Sequence, residues 1–288
     1  MIKHIFDNLL FRLKLFLLNK KNRELESKKY IDYIIYRISS KRKTYLKDGY
    51  KVYSQNDEDG IIDSIFSDIG IKNKFFIEIG IGNGIENNTH YLLLKDWKGV
   101  WIDSNKVIIN KLKKELPKSN KLDLICLKVT PENINKKLLD SKKYRNEINN
   151  QIPDNVDFMS IDIDSTDVFC IQALTTFKPR LICIEYNSKF PPFMKMSIKK
   201  SYSKKWNYDD YFGASLSYIA DEMEKIEYRL ISTNVSGSNA FFVKKELQSL
   251  CKTKNQSINE LYMPSNYNLF DYNYHRPSNK FLIDKLKD

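Results

Sequence analysis

The sequence predicts an α/β fold built on a mostly parallel seven-stranded sheet that ends in an antiparallel hairpin. Three observations point to it. From residue 51 onward, apolar runs of strand length alternate with stretches of helical periodicity, and such alternation implies parallel strands covered on both faces. The run Phe75-Phe76-Ile77-Glu78-Ile79 leads into Gly80-Ile81-Gly82-Asn83-Gly84, an acid followed by three glycines at alternate positions. Glycines so placed make a strand exit where backbone approaches a ligand closely. Finally, the apolar stretches 228–233 and 239–244 are separated only by Asn234-Val235-Ser236-Gly237-Ser238, and a turn that short joins antiparallel neighbours alone.

Taken in order, strands are expected at 75–80, 98–103, 122–129, 156–163, 181–187, 228–233 and 239–244. Helices are expected at 57–69, 87–95, 105–116, 131–140 and 166–177. Ser54-Gln55 precedes the first of them, where a serine caps a helix readily. Residues 140–150 are charged and read as a loop or a frayed helix end. Residues 189–206 carry Pro191-Pro192, several lysines and the aromatics Phe190, Phe193, Tyr202 and Trp206. An insertion of that length after the fifth strand fits a lid over an acceptor, and its lysines suit an anionic one. Tyr211–Ser215 reads as a helix start, with Gly213 and Ala214 allowing close approach. Residues 249–288 hold no interpretable motif. The expected organisation is an N-terminal helical arm over 1–50, the sheet domain over 51–248 and a C-terminal extension over 249–288.

Composition limits the alternatives. A chain of 288 residues with 42% hydrophobic content buries a full core. The net charge of +12 comes from lysines spread along the whole length, with no arginine-rich tract and no zinc-finger or RNA-recognition motif. A solvated basic surface accounts for that better than a nucleic-acid partner. Cys126, Cys170, Cys183 and Cys251 form no CxxC pair, which fits a reducing, cytoplasmic setting and gives no support to structural zinc. In residues 2–18, Ile2, Ile5, Phe6, Leu9, Leu10, Leu13, Phe16 and Leu17 recur at helical spacing, broken by Asp7, Arg12 and Lys14. Those charges exclude a spanning helix, and no small-residue cleavage site follows a clean hydrophobic block, which argues against a signal peptide. The stripe is expected to pack on the body or in a homodimer. Contact of residues 2–23 with an anionic membrane face is the alternative.

The glycine spacing bears on the ligand. A dinucleotide site calls for G-x-G-x-x-G, whereas this chain has Glu78-x-Gly80-x-Gly82-x-Gly84, which resembles the first motif of class I S-adenosylmethionine (AdoMet) methyltransferases. The resemblance implies that the glycine turn passes beneath the methionine and ribose, and that Asp103, ending the second strand, takes the ribose hydroxyls. A carboxylate suits that task because its two oxygens accept from two vicinal hydroxyls. The resemblance also implies that Ser54-Gln55 closes over the methionine end of AdoMet, the alternative to a simple helix cap. The implied cofactor surface comprises Gln55, Glu78, Gly80, Gly82, Asn83, Gly84, Asn88, Thr89, Asp103, Ser104, Val129, Thr130 and Asp162. His90 follows Thr89 on an expected helix and reads as structural.

A second cluster follows strands four and five. Ile161-Asp162-Ile163-Asp164-Ser165-Thr166-Asp167 and Ile184-Glu185-Tyr186-Asn187 bring acids to strand ends, the side of an open α/β sheet on which ligands bind. Oxygen ligands converging there suit a hard cation such as Mg²⁺, held by Asp162, Asp164, Glu185 and Asn187. The bland alternative is that Asp167 or Ser165 caps the next helix and Asp162 receives loop amides. The order of motifs, from Ser54-Gln55-x-x-Glu58-Asp59-Gly60-Ile61 through Asn88-Thr89 and the acids to Tyr211-Phe212-Gly213-Ala214-Ser215-Leu216, resembles FkbM-related bacterial methyltransferases over residues 51–245. That family is associated with surface-glycan and capsule modification. The resemblance implies O-methylation of a sugar or glycan-linked acceptor, with Asp162, Asp164 and Asp167 as catalytic candidates and Mg²⁺ assistance. The segment also resembles Mg²⁺-dependent sugar and macrolide O-methyltransferases, but they carry paired aspartates after strand five where this chain has Glu185 and Asn187. A nucleic-acid methyltransferase is the alternative enzyme, although Asp162-Ile163-Asp164 occupies the place of its Asn-Pro-Pro-Tyr or Pro-Cys signature. A non-catalytic AdoMet-binding scaffold is the other alternative.

Overall fold

The computed structural model describes residue 38 and residues 43–135, 156–175, 177–200, 209–265 and 278–287. The chain divides into two compact units, residues 1–43 and 44–288. The amphipathic stripe of residues 2–18 and the charged stretch 140–150 lie outside the described residues.

Seven strands form one sheet: β1 (Phe75–Ile79), β2 (Lys98–Asp103), β3 (Leu122–Cys126), β4 (Phe158–Ile161), β5 (Leu181–Glu185), β6 (Tyr228–Thr233) and β7 (Asn239–Lys244). Their order is β3-β2-β1-β4-β5-β7-β6. The first five pair in parallel, and β7 runs antiparallel to both β5 and β6. This is the Rossmann-like sheet with a closing hairpin that the resemblance implies. Chain direction across the sheet reverses between β1 and β4, so the crevice at their carboxyl ends is a topological switch point.

Among the described residues the helices are α1 (Glu58–Ile69), α2 (His90–Leu94), α3 (Lys106–Glu115), α4 (Asp167–Ala173), α5 (Leu216–Lys225), α6 (Ile258–Leu261) and α7 (Lys280–Lys287), with 3-10 turns at Tyr45–Asp48 and Lys245–Leu250. One large cluster buries Ile77, Ile79, Val100, Ile102, Met159, Ile161, Ile182 and Ile184 from the central strands with Val168, Phe169, Leu216 and Met223 from α4 and α5. Phe66 of α1 meets Trp97 and Phe158 edge-on, at ring distances of 5.1 and 6.4 Å.

The differences from expectation concentrate at the crevice. β3, β4 and β5 end at residues 126, 161 and 185, two to three residues before the expected ends of 129, 163 and 187, because the chain leaves the ladder there to line the opening. The helix expected from residue 87 starts at His90, since the amides of Asn88 and Thr89 turn instead toward the Glu78 carboxylate. Of the helix expected over 131–140, only residues 134–135 are helical among the described ones. The described residues after 248 pack on the sheet domain. Thr253 Oγ1 donates to the Ile231 carbonyl (2.7 Å), Tyr186 Oη donates to that of Met263 (2.6 Å), and α7 packs against α2.

Candidate cofactor and acid site

Each glycine of the first turn has a different job. Gly80 has φ +85°, its N–H donates to the Ile102 carbonyl, and a Cβ there would lie 1.6 Å from the Asp162 carbonyl oxygen. Only glycine lets the exit of β1 pass so close to the end of β4. Gly84 (φ +70°) packs under α3, where a Cβ would meet the Leu112 side chain at 2.7 Å. Gly82 (φ +55°) has nothing within 4 Å of such a Cβ. It therefore offers bare backbone to open space.

Glu78 is the anchor beneath this turn. Its buried carboxylate accepts from Asn87 Nδ2 (2.8 Å), the Asn88 amide (2.8 Å), the Thr89 amide (3.2 Å) and the Thr89 hydroxyl. Trp101 Nε1 donates to Thr89 Oγ1 at 2.7 Å. Burial pushes the Glu78 carboxyl up to about 7, and the four donors oppose the shift. Thr89 is thus spent inside the protein rather than on a ligand. Asn83 folds the loop by accepting from the amides of Ile85 and Glu86. Asn88 Nδ2 donates to Ser160 Oγ of the neighbouring strand (2.9 Å).

A cleft of about 940 Å³ opens above these residues. Of the expected cofactor residues, Gln55, Glu78, Gly80, Gly82, Asn83, Asn88, Asp103, Ser104, Val129, Thr130 and Asp162 line it, whereas Gly84 and Thr89 do not. Asp103 is half-buried at the end of β2, with Oδ1 taking the Asn105 amide (2.7 Å) while Asn105 caps α3. Lys128, Glu132, Lys200 and Asn239 also line the cleft. Asn239 went unnoticed in the sequence because it opens a strand that looks purely apolar.

Asp162, Asp164 and Glu185 each offer an oxygen within 4.8 Å of the others. Asp162 and Glu185 have carboxyls held well above the usual range, first by burial and then by neighbouring carboxylates. Asp164 is exposed and left-handed, with φ 57°, a conformation in which aspartate is tolerated. Two further expected site residues hold neighbouring backbone. Asp167 is buried, its Oδ1 and Oδ2 accepting the amides of Ile163 (2.8 Å) and Ser165 (3.0 Å), and burial lifts it to about 6. It shapes the loop that carries Asp162 and Asp164. Asn187 is engaged with backbone too. Its Nδ2 donates to the carbonyls of Asp210 (3.0 Å) and Phe212 (3.2 Å) and its Oδ1 accepts from the Lys189 amide, so it ties down the segment before α5. His90 is buried and stacked on Tyr53 with ring centroids 3.9 Å apart, and burial pushes it down to about 4. That environment fits its structural reading.

No protein family and no curated protein matches the sequence. Solved structures similar to the chain include a SAM-dependent methyltransferase from Aquifex aeolicus, at 14% identity over 63% of this chain and 87% of that one, with a TM-score of 0.34. The glycopeptide N-methyltransferase MtfA with S-adenosyl-L-homocysteine is 9% identical over 75% and 97% of the two chains, with a TM-score of 0.39. A TehB-like SAM-dependent methyltransferase from Corynebacterium glutamicum is 12% identical over 77% and 100%, with a TM-score of 0.35. At such values the chemistry has to be read from the site itself.

Proposed function

We propose that the chain is an AdoMet-dependent O-methyltransferase acting on a sugar or glycan-linked acceptor, with a divalent cation at the acid cluster. The observation that carries this reading is the two-part cleft at the switch point. On one side stand the open backbone at Gly82 and the Asp103 carboxylate, and on the other three carboxylates converge within 4.8 Å. The first half fits AdoMet: a bare glycine turn admits the chain of the ligand, and Asp103 has acceptor capacity for a ribose diol. The anionic lining also suits a ligand that carries positive charge. AdoMet supplies a methyl already activated on sulfonium. The protein's task is then to align an acceptor oxygen and ease loss of its proton.

The second half supplies that. Asp162, Asp164 and Glu185 form an all-oxygen donor set suited to Mg²⁺, which would lower the pKa of a bound hydroxyl. Without the cation, Asp164, exposed on a turn held by Asp167, would itself accept the hydroxyl proton. Lys128 and Lys200 at the cleft wall support an acceptor with negative charge, such as a phosphorylated or nucleotide-linked sugar. Incubation with labelled AdoMet and a panel of sugar nucleotides and glycans tests the reading, with EDTA and Mg²⁺ re-addition as paired arms. Methyl transfer to a sugar hydroxyl is expected, lost in chelator and restored by Mg²⁺. Full activity in EDTA would remove the cation, and methylation of nucleic acid alone would overturn the acceptor class.

A further inference from the structure

Glu185 is paired across the sheet with a polar residue that the chemistry above does not use. Ile161 pairs with Ile184 in parallel, and Glu185 pairs with Asn239 of β7. Asp162, Glu185 and Asn239 therefore follow one another in a single row across the ends of β4, β5 and β7, on one face and about 4.8 Å apart from strand to strand. Asn239 is only 7% exposed, yet it lines the cleft together with the two acids. We infer that Asn239 is a positioning residue of the cation half of the site: its Oδ1 accepts from a water on the cation held by Asp162, Asp164 and Glu185, and from the acceptor hydroxyl that takes that water's place. The inference rests on the cation reading proposed above.

What turns the amide that way is Glu58, the first residue of α1. Its buried carboxylate accepts from Asn239 Nδ2 (2.9 Å), Asn234 Nδ2 (2.7 Å) and the Asn56 amide (2.8 Å). A carboxylate only accepts, so the NH₂ of each asparagine has to face it and the amide oxygen is turned away. Asn234 Oδ1 is consumed inside the hairpin, where it takes the amides of Ser238 (2.8 Å) and Asn239 (2.9 Å). Asn239 Oδ1 takes no donor among the described residues. A nearly buried amide oxygen left open at a cleft calls for a ligand that donates. The acids beside it have no proton to give while they hold a cation. A water or hydroxyl on the cation has one: three carboxylates leave Mg²⁺ short of its octahedral set of oxygens, and it completes the set with water. Asn187, the amide expected at the cation from the sequence, is spent on the Asp210 and Phe212 carbonyls, whereas Asn239 stands next to Glu185 in the row.

Mn²⁺ takes the same oxygen ligands as Mg²⁺, and electron paramagnetic resonance reads its free ion, so it is the probe for the full chain. Asn239→Ala is expected to weaken Mn²⁺ about tenfold, the usual cost of removing a group that holds a ligand of the metal. Its melting temperature in EDTA should stay within about 4 °C of the wild type, as one lost hydrogen bond allows. Asn239→Asp keeps an oxygen in the same place and should bind Mn²⁺ within about threefold of the wild type. Glu58→Gln is nearly isosteric and leaves residue 239 intact, but frees the Asn239 amide to turn, so it reads the same oxygen even where Asn239→Ala folds poorly. It should weaken Mn²⁺ as well, and the double variant Glu58→Gln/Asn239→Ala should be no weaker than Asn239→Ala alone, because both act through one oxygen. Unchanged Mn²⁺ affinity in Asn239→Ala, or an Asn239→Asp protein as weak as Asn239→Ala, overturns the assignment and leaves the cation site standing. Losses that add in the double variant overturn the orienting role of Glu58. Wild-type protein that binds no Mn²⁺ overturns the cation reading, and this inference with it.

Discussion

At the residue scale, two glycines of one motif answer to opposite constraints. Gly80→Ala forces a Cβ to within 1.6 Å of the Asp162 carbonyl. Backbone must move, and a loss of at least about 3 kcal/mol or failure to fold is expected from such overpacking at positive φ. Gly82→Ala has positive φ but open space, so it should cost only about 1–2 kcal/mol while placing a methyl where the ligand backbone passes. Urea unfolding and S-adenosylhomocysteine titration distinguish them: Gly82→Ala should fold and bind poorly. A Gly82→Ala protein with unchanged affinity would remove the turn from the binding surface. The acids carry a second prediction. Asp162 and Glu185 have folded-state carboxyls raised above their unfolded values, so the stability they contribute is complete below the unfolded range near pH 4 and is lost as pH rises through the folded values. Asp162→Asn should therefore raise Tm of the ligand-free protein at pH 8 by about 2–4 °C, the shift that 1 kcal/mol gives in a domain of this size, and abolish methyl transfer. Apparent Mg²⁺ affinity, which needs both groups ionised, should rise with pH over the same window. A wild-type Tm that climbs steadily from pH 5 to 8 would contradict the first expectation.

At the element scale, the sheet is fastened at both ends of its strands by buried carboxylates. Glu78 gathers the loop at the carboxyl end of β1, and Asp157, just before β4, gathers the loop at the amino end. The Asp157 oxygens accept the amides of Lys72 (3.0 Å), Asn73 (2.6 Å) and Lys74 (2.8 Å), and Arg180 Nε lies 3.3 Å away. The Arg180 guanidinium in turn donates to the carbonyls of Ile69 and Gly70 at the end of α1. One ion pair thereby joins the α1–β1 connection to the starts of β4 and β5, far from the cleft. Asp157→Ala leaves a buried guanidinium and three amides without their carboxylate, which should cost about 3–5 kcal/mol. Ligand affinity measured well below the new melting temperature should stay within about twofold, because no bonding difference reaches the cleft. A comparable loss of binding would show that the two ends of β4 are not independent.

At the scale of the whole molecule, the architecture was readable because periodicity is local. Strand and helix cores follow from apolar spacing, and the five-residue separation of 233 from 239 forces the hairpin. Where the chain stops being strand was not readable, since Leu127, Val129 and Ile163 continue the apolar alternation of their strands while the chain turns to line the cleft. Nor were the roles of the acids. Asp162, Asp164 and Glu185 were visible from strand ends, but Asp167 and Asn187 look identical in sequence and differ only in which amides and carbonyls reach them. Glu58 depends on partners 176 and 181 residues away, a pairing with no local signal. The C-terminal segment was unreadable for the same reason, and it yields the last prediction. Helix α7 buries Leu282 and Leu286 where it packs on α2, Lys285 Nζ lies 2.8 Å from Asp96, and Lys121 Nζ donates to the Lys285 carbonyl. Deleting residues 278–288 exposes what the two leucines covered, a loss of about 3–6 kcal/mol at about 1.5–3 kcal/mol per buried leucine. Helix α2 follows directly on Asn88 and Thr89, whose amides hold Glu78 beneath the glycine turn. Loosening it should carry into the cleft, so the truncated protein is expected to melt lower and to bind S-adenosylhomocysteine more weakly even where it is fully folded. Lower stability with undiminished affinity would confine α7 to a structural role and show that the Glu78 anchor holds the turn without support from behind.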